Sequence, residues 1–446
     1  MDFLSYANKY KNEMIEKLSE LVSIKSTLVE QPEVVDAPFG SECVRALKYV
    51  LDLASSMGFT VKNIDNVCGH VEFGEGEEIV AVLCHVDVVP AEGKWVSDPY
   101  VARIEGDKLY ARGSIDDKGP CISALYSLYI LKELGYKPNK RIRLIVGTDE
   151  ESGSRGLRRY LQKEKMPDTG FSPDAEFPLI YGEKGMMSID IISKAEPSNL
   201  KIDSGTRYNI VPAEAVASFA DFSDITSKFQ GFLEEKGYKG TVTGDTITSL
   251  GVACHAMEPR NGVNAALHLA EFLKDVSPIC NYAANHLKDS RLECDKLNFT
   301  DYEMGDMTCN FAVLKVSEGV GKIGLNFRYP VRWDVDKFLE EFTKIANSYN
   351  LEVKVLGISK PHYISPEDPL VKTLMNAYQE FTGDTKTPMQ TIGGGTYARS
   401  LRHAVAFGQV FPGEEDLAHQ ANEYISISKM ITSCAIYAKA LVDLTK

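Results

Sequence analysis

The sequence predicts an α/β fold: a domain on a mainly parallel sheet, with a second, α+β domain inserted into it. Three observations carry this. Short apolar runs ending in polar clusters alternate with helical patterns over the first 185 residues. From about Met186 the strands become partly alternating, the texture of sheets with one open face. After about His362 the α/β texture returns. The expected divisions are 1–185, 186–358 and 359–446.

Taken in order, Leu4, Tyr6, Met14, Ile15, Leu18, Leu21 and Val22 recur at helical spacing among Lys and Glu. A second helix is expected near Ser41 to Met57, with Val44, Leu47, Val50 and Leu51 as its apolar stripe. Ile79 to Cys84 reads as a buried strand, followed by His85 to Asp87. An apolar helix is expected near Cys121 to Leu134 and a strand at Ile142 to Val146, ending in GTDEESGS. The middle segment gives a strand at Met186–Ile192, a helix at Ile225–Leu233 and a long helix at Asn261–Val276. A strand at Lys322–Phe327, a helix at Asp336–Tyr349 and a strand at Leu351–Leu356 follow. FSDITSKFQGFLEEKGYKGTV and RWDVDKFLEEFTKIANSYNLEVKV are loosely alike, each a helix then a short strand, which suggests a duplication within the insert. The last part gives a helix at Pro369–Phe381, the glycine run TIGGGTYAR, a strand near Ala404–Val410 and a helix at Ser426–Leu444.

Composition narrows the function. The chain has 446 residues, 44% hydrophobic, ample for a buried core. With 63 acidic against 49 basic residues the net charge is −14, which argues against nucleic-acid binding. The nine cysteines are odd in number and form no C-x-x-C, so they read as reduced, packed thiols rather than disulfides or a zinc ribbon. No signal-peptide core and no membrane-length apolar run is found, and a cytoplasmic location with no membrane partner is expected.

The residues able to do chemistry collect at strand ends, where open α/β sheets bind ligands. His85 and Asp87, two apart, point to one face and suit a metal ligand with its orienting carboxylate; a half-buried histidine near a turn fits as well. Asp116 and Asp117 precede a helix whose cap needs one of them. Asp149, Glu150 and Glu151 repel one another, which a divalent cation would relieve; a solvated acidic loop is the other reading. Asp174 and His419 say little alone. As a set, these nitrogen and oxygen donors without thiolates suit Zn²⁺, Mn²⁺ or Co²⁺.

The motifs HVDVVP, W-x-x-DPY, LYARGSIDDKGP, GTDEESGS, SPDAEFP, GVACHAMEPRNGVNAA and HQANEY stand in the order found in one family. The chain resembles the dizinc aminoacylase/carboxypeptidase G metallopeptidases, and within them the PepV-type, carnosinase-like dipeptidases, over nearly its whole length. The resemblance implies two divalent metal ions. His85 would bind one and His419 the other, Asp116 would bridge them, and Glu151 and Asp174 would complete the set. Asp117 falls at a variable position. Glu150 would be general base to a water between the metals, and Asp87 would orient His85. His255 would stabilise the oxyanion. Asn209 and Arg328 would hold the substrate carboxylate, helped by backbone N–H groups of Gly393, Gly394 and Gly395 with Thr396.

The implied activity is hydrolysis of unblocked dipeptides. The inserted domain would act as a lid that supplies in cis what a partner subunit supplies in relatives, so a monomer is expected. An N-acyl amino-acid deacylase shares the same metal motif and is the alternative. A non-catalytic peptide sensor would be expected to have broken ligands, and here all are present.

Overall fold

The computed structural model describes residues 2–219 and 225–446, which form two compact units. One comprises 1–182, 364–390 and 395–446; the other comprises 183–363 and 391–394.

In the first unit, six successive strands of the sheet run Thr60–Ile64, Cys68–Phe73, Arg141–Gly147, Ile79–His85, Thr169–Ser172 and Ala404–Ala406. The last four are mutually parallel. The first two are antiparallel to each other, and Cys68–Phe73 is antiparallel to Arg141–Gly147. The sheet is therefore parallel at its centre and mixed at its flank, because the short Ile64–Cys68 connection permits only a hairpin. Ile79–His85 is buried along its whole length, as a strand covered on both faces must be. Val80, Val82 and Cys84 pack into the larger core, with the helices Ser41–Ser56, Lys118–Glu133 and Ile427–Leu444. Ala81 and Leu83 face a smaller core with the helix Arg155–Lys163 and Tyr397. Lys118–Glu133 is buried on nearly all sides, which explains its continuous apolar sequence.

The second unit is an eight-stranded sheet in which every neighbouring pair is antiparallel. Its order is Lys239–Thr243, Thr246–Leu250, Glu214–Phe219, Leu200–Ser204, Thr308–Ser317, Val320–Tyr329, Gly185–Ser193, Glu352–Ser359. Leu200–Ser204 alternates buried and exposed residues, the period that changed the sequence texture. The helices Ile225–Lys236, Ala265–Leu273, Pro278–His286 and Val335–Ser348 share its core. The two loosely similar pieces give Ile225–Lys236 followed by Lys239–Thr243, and Val335–Ser348 followed by Glu352–Ser359. Those two strands are the opposite edges of the sheet. The start of the first piece, 222–224, lies outside the described residues.

Two expected elements differ. The helix expected at Asn261–Val276 covers only Ala265–Leu273, because the Asn264 side chain caps its start by accepting from Leu267 N–H. The strand expected at Ala404–Val410 is two strands, Ala404–Ala406 and Gln409–Val410, parted by Gly408 at φ +88°.

Candidate metal centre

His85 ends its strand one residue past Cys84, on the face shared by Ala81 and Leu83, where the Tyr397 ring meets it edge-on at 6.1 Å. Its Nδ1 lies 3.0 Å from the Asp87 carbonyl oxygen and 3.4 Å from the Asp87 carboxylate. That turns Nε2 toward Asp116 Oδ1 at 3.0 Å and Asp174 Oδ2 at 3.5 Å. Asp116 Oδ2 faces the other way, 2.9 Å from His419 Nε2, which is 3.0 Å from Glu151 Oε2. Two donor groups result, His85–Asp116–Asp174 and Asp116–Glu151–His419, each with its donor atoms within 4.8 Å of one another. They share one residue, and each oxygen of Asp116 serves one group.

Chemistry supports a fit to two divalent ions. The buried His85 Nε2 has no hydrogen-bond partner of acceptable geometry although carboxylates surround it. Burial pushes Glu150 well above the usual carboxylate range, and Glu151 to about 7. Burial also raises Asp174, with the Asp116 charge adding to it. For Asp116 burial acts upward too, but the adjacent His419 and His85 imidazoles outweigh it and hold the group low. So much acid in so little water calls for positive charge, which the nitrogen and oxygen donors would bind as hard or borderline cations.

The supports are as specific as the donors. The Asp87 carboxylate accepts the backbone N–H of Glu150 and of Glu151, each at 3.1 Å, so it fixes the acidic pair as well as facing His85. Glu150 belongs to neither donor group. Asp149, fully buried, is gripped by Arg155 through Nε at 2.8 Å and Nη2 at 2.9 Å. Asp117 stands at the helix N-cap but does not cap; its Oδ2 accepts the His85 backbone N–H at 2.9 Å. His419, with its side chain 54% exposed, has a left-handed backbone at φ +65°. Three residues on, Asn422 anchors the loop through Val96 N–H at 2.9 Å and the Lys94 carbonyl at 3.2 Å.

The structure thus gathers His85, Asp87, Asp116, Glu150, Glu151, Asp174 and His419 in the first unit. Thr396 is there too; its Oγ1 caps a short 3₁₀ turn through Ala398 N–H, and Gly395 precedes it. Asn209, His255, Arg328 and Gly394 belong to the second unit. The Asn209 carbonyl accepts Ala256 N–H at 2.9 Å, beside His255, whose Nδ1 accepts Met257 N–H at 3.3 Å. Buried Arg328 donates to the Gly393 carbonyl at 2.9 Å and to Asn326 Oδ1 at 2.9 Å. Sequence reading missed Asp117, Asp149, Arg155 and Tyr397 as supports. Their only signal was charge or hydroxyl within or next to the motifs, which cannot be told from surface polarity until burial is known.

A parallel-centred α/β sheet with carboxylates and histidines converging at its strand ends, one carboxylate serving two donor groups, defines a dinuclear metallohydrolase. The chain belongs to peptidase family M20/M25/M40, whose pattern it matches over residues 81–443, and it is a metallopeptidase of that family. It is 40% identical to "Putative dipeptidase YtjP" of Bacillus subtilis strain 168 and 39% identical to "Putative dipeptidase" of Staphylococcus epidermidis. Each match covers 98% of both chains. Human carnosine dipeptidase 1 shares the fold at a TM-score of 0.64 and 18% identity, over 99% of this chain and 98% of that one. Among the described residues no helix is long and apolar enough to cross a membrane.

Proposed function

We propose that the protein hydrolyses the peptide bond of unblocked dipeptides, with Glu150 as general base. The observation that carries this is Asp116, each of whose oxygens faces a separate histidine. His85, Asp116 and Asp174 would hold one divalent ion, and Asp116, Glu151 and His419 the second. Such ions supply Lewis acidity, polarising a carbonyl and making water nucleophilic near neutral pH. Glu150, next to a ligand but outside both donor groups, takes a proton from water and passes it to the leaving amine. Asp87 keeps that carboxylate in place through the Glu150 and Glu151 N–H groups. His255 donates to the developing oxyanion, and Asn209, Arg328 and the 393–396 backbone hold the substrate carboxylate. The second unit acts as a lid with an internal duplication, consistent with its two helix–strand pieces at opposite sheet edges. The names of the 40% and 39% identical relatives favour a dipeptidase over an N-acyl amino-acid deacylase. Zinc, manganese and cobalt all suit the donors. Free thiols fit a cytoplasmic setting, and the protein acts as a monomer.

Metal analysis of the purified protein, with hydrolysis of a dipeptide panel against N-acyl amino acids under zinc and manganese, tests this reading. Two bound ions and cleavage of unblocked dipeptides are expected; cleavage of N-acyl substrates alone would replace it with the deacylase. Glu150→Ala should abolish turnover with both metals retained. Loss of metal in that variant would make Glu150 a ligand instead.

A further inference from the structure

Behind the donor groups lies a charge pair that touches none of their donor atoms. Arg112 and Glu423 are 1% and 0% exposed, with Nη1 2.5 Å from Oε2. The other carboxylate oxygen, Oε1, accepts the backbone N–H of Ile115 at 2.9 Å and of Asp116 at 3.3 Å. The Glu423 carbonyl accepts Ala111 N–H at 3.1 Å. Arg112 is itself fixed, with its backbone N–H on the Pro99 carbonyl at 2.8 Å and its guanidinium 5.3 Å from the Trp95 ring centre. Glu423 follows His419 by four residues. One buried carboxylate therefore joins the loop carrying the shared ligand to the loop carrying the ligand of only one group.

Stability does not account for such a pair. Desolvating two full charges costs several kcal/mol per ion, and apolar replacements are often neutral or stabilising. What the pair supplies is direction: Asp116 can serve two groups only if its backbone is held so that Oδ1 faces His85 while Oδ2 faces His419. We infer that Arg112 and Glu423 are positioning residues that set the bridging orientation of Asp116 and hold it in register with His419. The inference rests on the metal reading above. Partners outside the ligand set commonly govern metal affinity by 10–100-fold.

The test uses the full-length protein, metal titration calorimetry and electron paramagnetic resonance of the manganese-loaded form. Wild type should bind two Mn²⁺ and give an exchange-coupled spectrum. Glu423→Asp keeps the charge opposite Arg112 but draws the carboxylate back from the Ile115 and Asp116 N–H groups. It should fold but melt somewhat below wild type when metal-free, bind manganese about 10- to 100-fold more weakly and lose the coupled signal. Arg112→Met with Glu423→Leu removes both charges and so leaves no unpaired buried charge; the metal-free protein should stay folded while showing the same metal defect. Wild-type affinity and coupling in either folded variant would overturn the inference. A defect in stability alone, with metal affinity intact, would also overturn it. A wild-type protein binding no metal pair would instead overturn the metal reading, and the inference with it.

Discussion

Gly393 offers a sharp test of the segment that meets Arg328. Its backbone is not left-handed, so alanine brings no torsional penalty. A Cβ there would lie 2.7 Å from Met257 Cβ and 3.4 Å from the Met257 Cα and carbonyl oxygen. Those are atoms of the main chain or fixed to it, so either 391–394 or the loop carrying His255 must move. Overpacking of this kind costs about 1–3 kcal/mol. Met257 is 44% exposed, which leaves room to relax and favours the lower part of that range, about 1–1.5 kcal/mol. If the shift misplaces His255 or Arg328, Gly393→Ala lowers kcat/KM about 5- to 10-fold. Steady-state kinetics on a cleaved dipeptide measures it. Met257→Gly removes the colliding Cβ, so the double variant should recover most of the loss, a coupling of about 1 kcal/mol in the double-mutant cycle. Unchanged kinetics for Gly393→Ala, or no recovery in the double variant, would refute the reasoning.

His255→Ala should lower kcat by about 10²–10³ with metal content normal; an unchanged kcat would remove its oxyanion role. A pH prediction comes from His70, 4% exposed, whose Nδ1 lies 2.8 Å from Tyr160 Oη. Burial, with the nearby Arg143 charge, lowers it from 6.5 to about 4. The unfolded chain takes up a proton near pH 6.5 that the folded protein refuses until about pH 4, so the contribution is complete above 6.5 and is lost as pH falls to 4. It amounts to about 3 kcal/mol. Denaturant unfolding of metal-free wild type and His70→Phe at pH 7 and pH 4 should differ by that much in pH dependence, and a His70 titration at or above 6.5 by nuclear magnetic resonance would contradict it.

Much of the centre was legible because it follows from strand parity and strand ends. His85 and Asp87 share a side because they are two residues apart, and the Glu150–Glu151 pair follows a strand parallel to theirs. What Asp87 does with its carboxylate was not legible, because its partners are backbone N–H groups 63 and 64 residues away. Arg112 and Glu423 were hidden for the same reason: 311 residues separate them, and nothing local marks a charge as buried. The middle helix was read too long because apolar spacing continued through Lys274–Val276, while the stop is set by the next helix, which begins at Pro278 capped by Ser277. The strand expected at Ala404–Val410 failed at Gly408, where a Cβ would meet Phe177 at 2.5 Å and Tyr437 Oη at 2.6 Å. That constraint belongs to packing and leaves no periodic trace.

Residues 391–394 belong to the second unit although the chain on either side belongs to the first. Three of their partners, Arg328 at Gly393, Glu303 at Thr391 and Lys184 at Ile392, lie within 183–363. The insert is therefore not a cassette. Excising 183–363 takes these three partners from the tetrapeptide, and expressing that stretch alone leaves Arg328 without the Gly393 carbonyl it bonds. Exchange of this domain between relatives, by recombination or by gene construction, would have to carry a matched change in a second, distant stretch of the gene.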